Sequence, residues 1–92
     1  MLDEIGASDL KVKLTIHFYS YFKDLTGCSE LGHTAPEGQT LGELLDDLGA
    51  QFPKLGAMRK SMLTAVGVGY QTRDYRLKDG DDVSLFPPVQ GG

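Results

Sequence analysis

Between Thr40 and Pro53 the chain carries a helix that cannot stand alone, and this constrains the fold more than any other feature. Thr40 and Glu43 form a T-x-x-E capping box, in which each side chain satisfies a backbone N–H at the helix start. Leu41, Leu44, Leu45, Leu48 and Phe52 follow at i, i+3, i+4, i+7 and i+11, a single apolar stripe of about three turns. Asp46, Asp47 and Gln51 occupy the other side. Pro53 ends the helix, because a proline disfavours the α conformation of its predecessor. Gly42 and Gly49 each weaken the helix by about 1 kcal/mol relative to alanine, so packing must hold it. The leucine stripe needs a sheet to lie on.

Strands flank it on both sides. Val12, Leu14, Ile16 and Phe18 alternate with Lys11, Lys13, Thr15, His17 and Tyr19, the period-two pattern of a half-buried strand. Tyr21 to Leu25 is expected to make one helical turn, ended by Gly27. Ser29 to Ala35 reads as a second strand with Leu31, His33 and Ala35 on one face, and Pro36-Glu37-Gly38 punctuates it. Residues 54–61 read as a basic, irregular connection. Met62 to Val66 is a third strand, stopped by Gly67-Val68-Gly69. After a short Tyr75-Arg76-Leu77 segment and a Lys78-Asp79-Gly80-Asp81 turn, Asp82 to Phe86 forms the last strand, with Val83 and Leu85 facing inward. A hairpin, one helix and further strands make an α+β layout, with the helix across one face of a mixed sheet. Residues 1–10, without any period, are expected to be a loosely ordered lead-in to a domain over 11–86, with 87–92 as a flexible tail.

At 92 residues there is room for one domain, which buries about 60–65% of the surface its unfolded chain exposes. The length excludes a two-domain enzyme, and a deep pocket would compete with the core for the same apolar side chains. Nine Lys and Arg against thirteen Asp and Glu give a net charge of −4. The basic residues are scattered rather than gathered in a phosphate-neutralising patch, so no nucleic-acid partner is expected. The acidic balance suits docking on a basic partner surface. Cys28 is the one cysteine, which excludes an internal disulfide and points to a reducing compartment. The N-terminus MLDEIGASDL is no signal peptide, and no apolar run reaches the roughly 18–20 residues of a membrane span. A cytoplasmic protein without membrane attachment is expected.

The end of the chain is distinctive. Pro87 and Pro88 cannot donate ladder hydrogen bonds, so the sheet must end at Phe86, and they favour an extended exit. The segment Pro87 to Gly92 reaches at most about 20 Å. Its last two residues, Gly91 and Gly92, have no side chains, as suits a carboxylate threaded down a narrow channel to be activated. By composition alone, two terminal glycines arise with a chance of about 0.5%.

The stretch Leu77 to Gly92, LKDGDDVSLFPPVQGG, resembles the C-terminal signature of the MoaD family, the small subunits of molybdopterin synthase. Ala65-Val66 matches that family's strand end ahead of the tail, and Leu25-Thr26-Gly27 matches its L-x-G after the first strand. The resemblance covers residues 11–92, with Gly67 where the family usually has asparagine and an N-terminal extension without counterpart. It implies a β-grasp, ubiquitin-like fold and a sulfur carrier that is not a catalyst by itself but becomes the small subunit of the synthase when bound. A MoeB-like adenylyltransferase would use ATP and Mg²⁺ to convert the Gly92 carboxylate to an acyl-adenylate. A sulfur donor of the cysteine desulfurase or rhodanese type would displace AMP and leave a thiocarboxylate. A MoaE-like large subunit would receive that terminus and transfer its sulfur to a pterin precursor. The chain itself would bind no cofactor.

Outward aromatics mark a candidate docking face: Tyr19 on the polar side of the first strand, Phe86 at the root of the tail, and Tyr70 in the glycine-flanked segment. In the resembled family the aligned positions contact the large subunit, and Pro87, Pro88 and Val89 continue that contact. Other constellations are weaker. His17 and His33 could face each other across the first hairpin, but no third ligand is spaced to complete a metal site. Cys28 has no histidine neighbour or second cysteine. Asp79, Asp81 and Asp82 lack the ligand run of a calcium loop and read as a structural turn. Gly67-Val68-Gly69 lacks the remaining glycine and the helix of a dinucleotide site. Two alternatives stay open. One is a carrier for thiamine, cysteine or another thio-metabolite, although thiazole-pathway carriers usually lack the F-P-P-V run. The other is a ubiquitin-like modifier joined to target lysines through Gly92, since both uses begin with the same adenylate.

Overall fold

The computed structural model describes residues 10–88. The alternating segment is strand β1 (Lys11–Phe18), in which Val12, Leu14, Ile16 and Phe18 are buried while Lys11 and Lys13 are exposed. Helix α1 (Phe22–Thr26) is one turn and a half, closed by Gly27 in the left-handed region at φ 83°. Strand β2 (Glu30–Pro36) returns antiparallel to β1, with Leu14 opposite His33 and Ile16 opposite Leu31.

The stripe-bearing helix is α2 (Leu41–Gln51), and its capping box closes as the sequence predicts. The Glu43 N–H donates to Thr40 Oγ1 at 3.2 Å, and the Thr40 N–H donates to Glu43 Oε1 at 3.0 Å. Two more N–H groups at the helix start find carbonyls outside it: Leu41 donates to Tyr75 and Gly42 to Arg73, each at 2.8 Å. The short segment around Arg76 therefore lies against the beginning of α2, where Arg76 bridges to Thr40. Leu41, Leu44, Leu45 and Leu48 are buried against the sheet. Phe52, held extended at φ −127° and ψ 86° ahead of Pro53, meets Phe18 edge to face at 6.0 Å.

Two expectations are corrected between α2 and the last strand. Residues 54–61 are only in part an irregular connection: Pro53 opens a second short helix, α3 (Pro53–Gly56), which buries Leu55, and turns follow over 57–61. Proline is suited to that first helical position, where its missing N–H would have had no helical partner. Gly67-Val68-Gly69 does not simply stop the third strand. Strand β3 (Leu63–Val66) turns through Gly67, at φ 63°, into a two-residue strand β4 (Gly69–Tyr70) paired antiparallel to it. Glycine and asparagine both accept this left-handed position, so Gly67 preserves the turn.

Strand β5 (Asp82–Phe86) inserts between β1, to which it is parallel, and β3, to which it is antiparallel. The five-stranded sheet has the order β2-β1-β5-β3-β4. Val83 and Leu85 are fully buried beneath α2, so Ser84 and Phe86 face the opposite side of the sheet, together with His17 and Tyr19. The α2 glycines have a packing reason. A Cβ on Gly49 would lie 3.0 Å from the Cα of Gly56 in α3, and one on Gly42 would lie 3.2 Å from the Arg73 carbonyl. No helix among the described residues is long and apolar enough to cross a membrane.

Candidate functional site

The root of the C-terminal tail carries the most distinctive surface. Pairing brings Phe86 opposite Leu63, and the Tyr19 N–H donates to the Leu85 carbonyl at 3.1 Å, extending the β1–β5 ladder past the end of β1. Because Leu85 points into the core, Phe86 must point onto the open face. There the Tyr19 ring lies parallel to it, with centroids 4.8 Å apart and planes 7° from parallel. Tyr70 meets Phe86 from the other side at 6.5 Å and 61°. The three aromatics singled out by sequence thus form one cluster. Together with Leu63, Pro87 and Pro88 they line an open groove of about 390 Å³, which Ser20 and Tyr21 complete.

Tyr19 is 43% exposed, Tyr70 71% and Leu63 36%, a contiguous apolar surface of the kind that marks an interaction site. Leu63 and Tyr21 were not among the expected site residues. The alternation of Met62, Leu63 and Thr64 contains the signal for Leu63, since a buried Met62 sends its neighbour to the open face. Ser20, between the two tyrosines, has φ 56°, a left-handed conformation unusual for a residue with a side chain. Of the remaining expected site residues, Val89, Gly91 and Gly92 lie outside the described residues.

The histidines do not meet. His33 is opposite Leu14, on the α2 side, while His17 is opposite Glu30 on the open side. His17 Nε2 instead lies 3.1 Å from Asp82 Oδ1, with Glu30 Oε1 3.9 Å from Nδ1. The three aspartates are held in turn and strand contacts. Asp79 Oδ1 accepts the Lys13 N–H at 2.7 Å, and Asp81 Oδ2 accepts from the Lys78 N–H at 2.8 Å and the Tyr75 hydroxyl at 3.0 Å. Cys28 is half-buried, with its sulfur 3.8 Å from Thr26 Oγ1. Among the described residues no group of three or more His, Cys, Asp or Glu is placed to hold a metal ion.

A second open groove, about 460 Å³, runs between the β2–α2 connection and α2 past Glu37, Glu43, Asp46 and Asp47. Three of its carboxylates serve the fold: Glu43 caps the helix, Asp46 Oδ1 lies 2.8 Å from Arg59 Nε, and Asp47 accepts from the Gln39 amide at 3.0 Å. Asp74 is held below its ordinary value of 3.8, chiefly because the Thr72 hydroxyl donates to it. It lies outside both grooves.

A single helix across a mixed sheet, with a proline-led tail leaving its central region, is the ubiquitin-like β-grasp architecture. The chain belongs to the ThiS family, whose profile matches residues 16–92. The molybdopterin synthase sulfur carrier subunit of Arabidopsis thaliana is 29% identical over 90 residues, covering 98% of this chain and 90% of its own. Among solved structures, the putative molybdopterin converting factor subunit 1 of Pyrococcus furiosus superposes with a TM-score of 0.78 at 29% identity, covering 85% of this chain and 99% of its own. A complex of subunits 1 and 2 of the Helicobacter pylori molybdopterin-converting factor contains a chain with the same fold. It has a TM-score of 0.61 and 22% identity, with 88% of this chain and 100% of that one covered.

Proposed function

We propose that this chain is the sulfur carrier of a molybdopterin synthase, with Gly92 as its reacting residue and the aromatic face at the tail root as its docking surface. The observation that carries the reading is the joining of Tyr19, Tyr70 and Phe86 into one apolar cluster directly before Pro87-Pro88. A surface of that kind at the base of a tail lets a partner grip the body while it works on the terminus. Membership of the ThiS family and relatives named as molybdopterin synthase sulfur carrier subunits point the same way.

The chemistry follows from what a carboxylate lacks. It is a poor electrophile, so a MoeB-like enzyme transfers AMP from ATP, with Mg²⁺, to the Gly92 carboxylate and releases pyrophosphate. The terminal sulfur of a persulfide on a cysteine desulfurase or rhodanese-type donor attacks the acyl carbon and AMP leaves; a second thiol then cleaves the resulting acyl disulfide, forming a disulfide with the donor cysteine and releasing the thiocarboxylate. Its sulfur is a better nucleophile than the carboxylate oxygen, which suits transfer to a pterin precursor in a MoaE-like large subunit. The carrier supplies the terminus and the docking face, while its partners supply the acid, base and nucleotide chemistry. The cytoplasm, where such enzymes and a reduced Cys28 coexist, is the proposed compartment.

The test is intact mass spectrometry after incubation with a MoeB-type adenylyltransferase, ATP–Mg and sodium sulfide. Replacement of one oxygen by sulfur at Gly92 is expected, and deletion of Gly92 should abolish it. An unchanged mass, under conditions that convert a known carrier, overturns the proposal. A ladder of lysine-linked conjugates in extract assigns the chain to protein modification instead.

A further inference from the structure

We infer that Ser20 is a specificity-determining residue of the aromatic groove, its hydroxyl pairing with a polar group of the docked large subunit; this rests on the carrier reading above and deepens it. The chain reverses over Tyr19 to Phe22, where the Phe22 N–H donates to the Tyr19 carbonyl at 3.1 Å. Ser20 has φ 56°, and Tyr21 follows at φ −71° and ψ −6°. A positive φ at the first central residue alone marks a type II′ turn, a place that glycine fills without steric cost. Among the described residues glycine takes every other position of positive φ, at Gly27, Gly38, Gly67 and Gly80. Serine is the exception, and a side chain there strains the backbone.

Local structure does not account for the exception. The Lys23 and Asp24 N–H groups that open α1 are taken by the Ser20 and Tyr21 carbonyls, at 3.2 and 3.0 Å, without a side-chain cap. The hydroxyl has no hydrogen-bond partner among the described residues. What distinguishes Ser20 is its place, exposed in the groove that Tyr19, Tyr70 and Phe86 line. A partner seated on those rings covers the hydroxyl as well. Covered and unpaired, it costs more than a bond would contribute, so a surface with a donor or acceptor at this point is favoured over an equally apolar one without. The rings supply area that many apolar surfaces could match, and the hydroxyl supplies the discrimination.

Calorimetric titration of the full chain with a MoaE-type large subunit, paired with thermal unfolding, provides the test. Ser20→Ala removes the hydroxyl but keeps the Cβ and its strain, whereas Ser20→Gly removes both. Each should weaken binding about three- to tenfold, the loss of one hydrogen bond. Ser20→Gly should at the same time unfold about 2–8 °C higher, because relief of strain exceeds the entropic cost of glycine. A purely structural serine would not show a firmer fold together with a weaker contact. Wild-type affinity in Ser20→Ala overturns the inference, even where Ser20→Gly binds less well, since a looser turn explains that loss. A lower unfolding midpoint for Ser20→Gly overturns it too, by showing that serine is kept there for the fold. If the unmodified chain does not bind the large subunit, the docking reading itself has failed and this inference falls with it.

Discussion

Gly49 and Gly56 face each other where α2 meets α3, and a Cβ on Gly56 would lie 2.9 Å from the Cα of Gly49. Alanine is the better helix former by about 1 kcal/mol, yet at this crossing the added methyl meets backbone that cannot step aside. Gly56→Ala should therefore lower stability by about 1–3 kcal/mol in urea denaturation, the usual cost of overpacking. Gly32→Ala is the control, because that position has open space and no left-handed φ, and it should be neutral or stabilising by up to about 1 kcal/mol. The sequence shows α2's glycines only as a cost, since their partner lies across a turn that local pattern does not reveal. The Thr72–Asp74 contact is equally local and equally silent in the sequence. Because it lowers the folded carboxyl below 3.8, the folded state binds fewer protons than the unfolded one near that pH. The stabilisation is present above about pH 3.8 and is lost as pH falls through the lower folded value. Asp74→Asn should accordingly flatten the acid limb of a stability–pH curve measured between these values, and an unaltered limb would show that the contact does not form in solution.

At the level of elements, what was legible depended on how much of each element repeats. The alternation of β1 and the stripe of α2 are long enough to declare themselves, and the capping box announces where α2 begins. Thr40→Ala removes the acceptor for the Glu43 N–H and should cost about 1 kcal/mol. Glu43→Gln, which can still accept the Thr40 N–H, should cost less, and equal losses in urea titrations would contradict the reciprocal box. By contrast α3 buries a single leucine, Leu55, and β4 is two residues long, so neither has a period to read. Pro53 was legible as the end of α2 but not as the start of α3, because the same fixed φ serves both. The pairing of β1 with β5 joins residues far apart in sequence, and no local pattern specifies that register. Tyr19, Tyr70 and Phe86 could be picked out as outward aromatics, but their stacking and the participation of Leu63 depend on that register.

The molecule as a whole divides its sheet between two tasks. One face is covered by α2, and between them lie the fully buried Ile16, Val83 and Leu85 of the sheet and Leu44 and Leu48 of the helix. The other carries polar groups along most of its length and gathers its aromatics where the tail departs. This separation means that the proposed docking face can be altered without disturbing the core, and Phe86 is the residue on which to test it. Its side chain is half-buried between Tyr19 and Tyr70 on the open face, whereas its neighbour Leu85 supplies the core contact. Phe86→Ala should leave the far-ultraviolet dichroism and the cooperativity of unfolding intact. It should weaken binding to a MoaE-type large subunit by about 2 kcal/mol or more, roughly thirtyfold, as expected for a central aromatic anchor. Calorimetric titration reads this directly, and an unchanged affinity would remove the aromatic face from the interface. Phe86→Leu should recover part of the loss, because apolar area returns while the flat surface that Tyr19 stacks upon does not. A complete recovery would show that area alone matters to the partner.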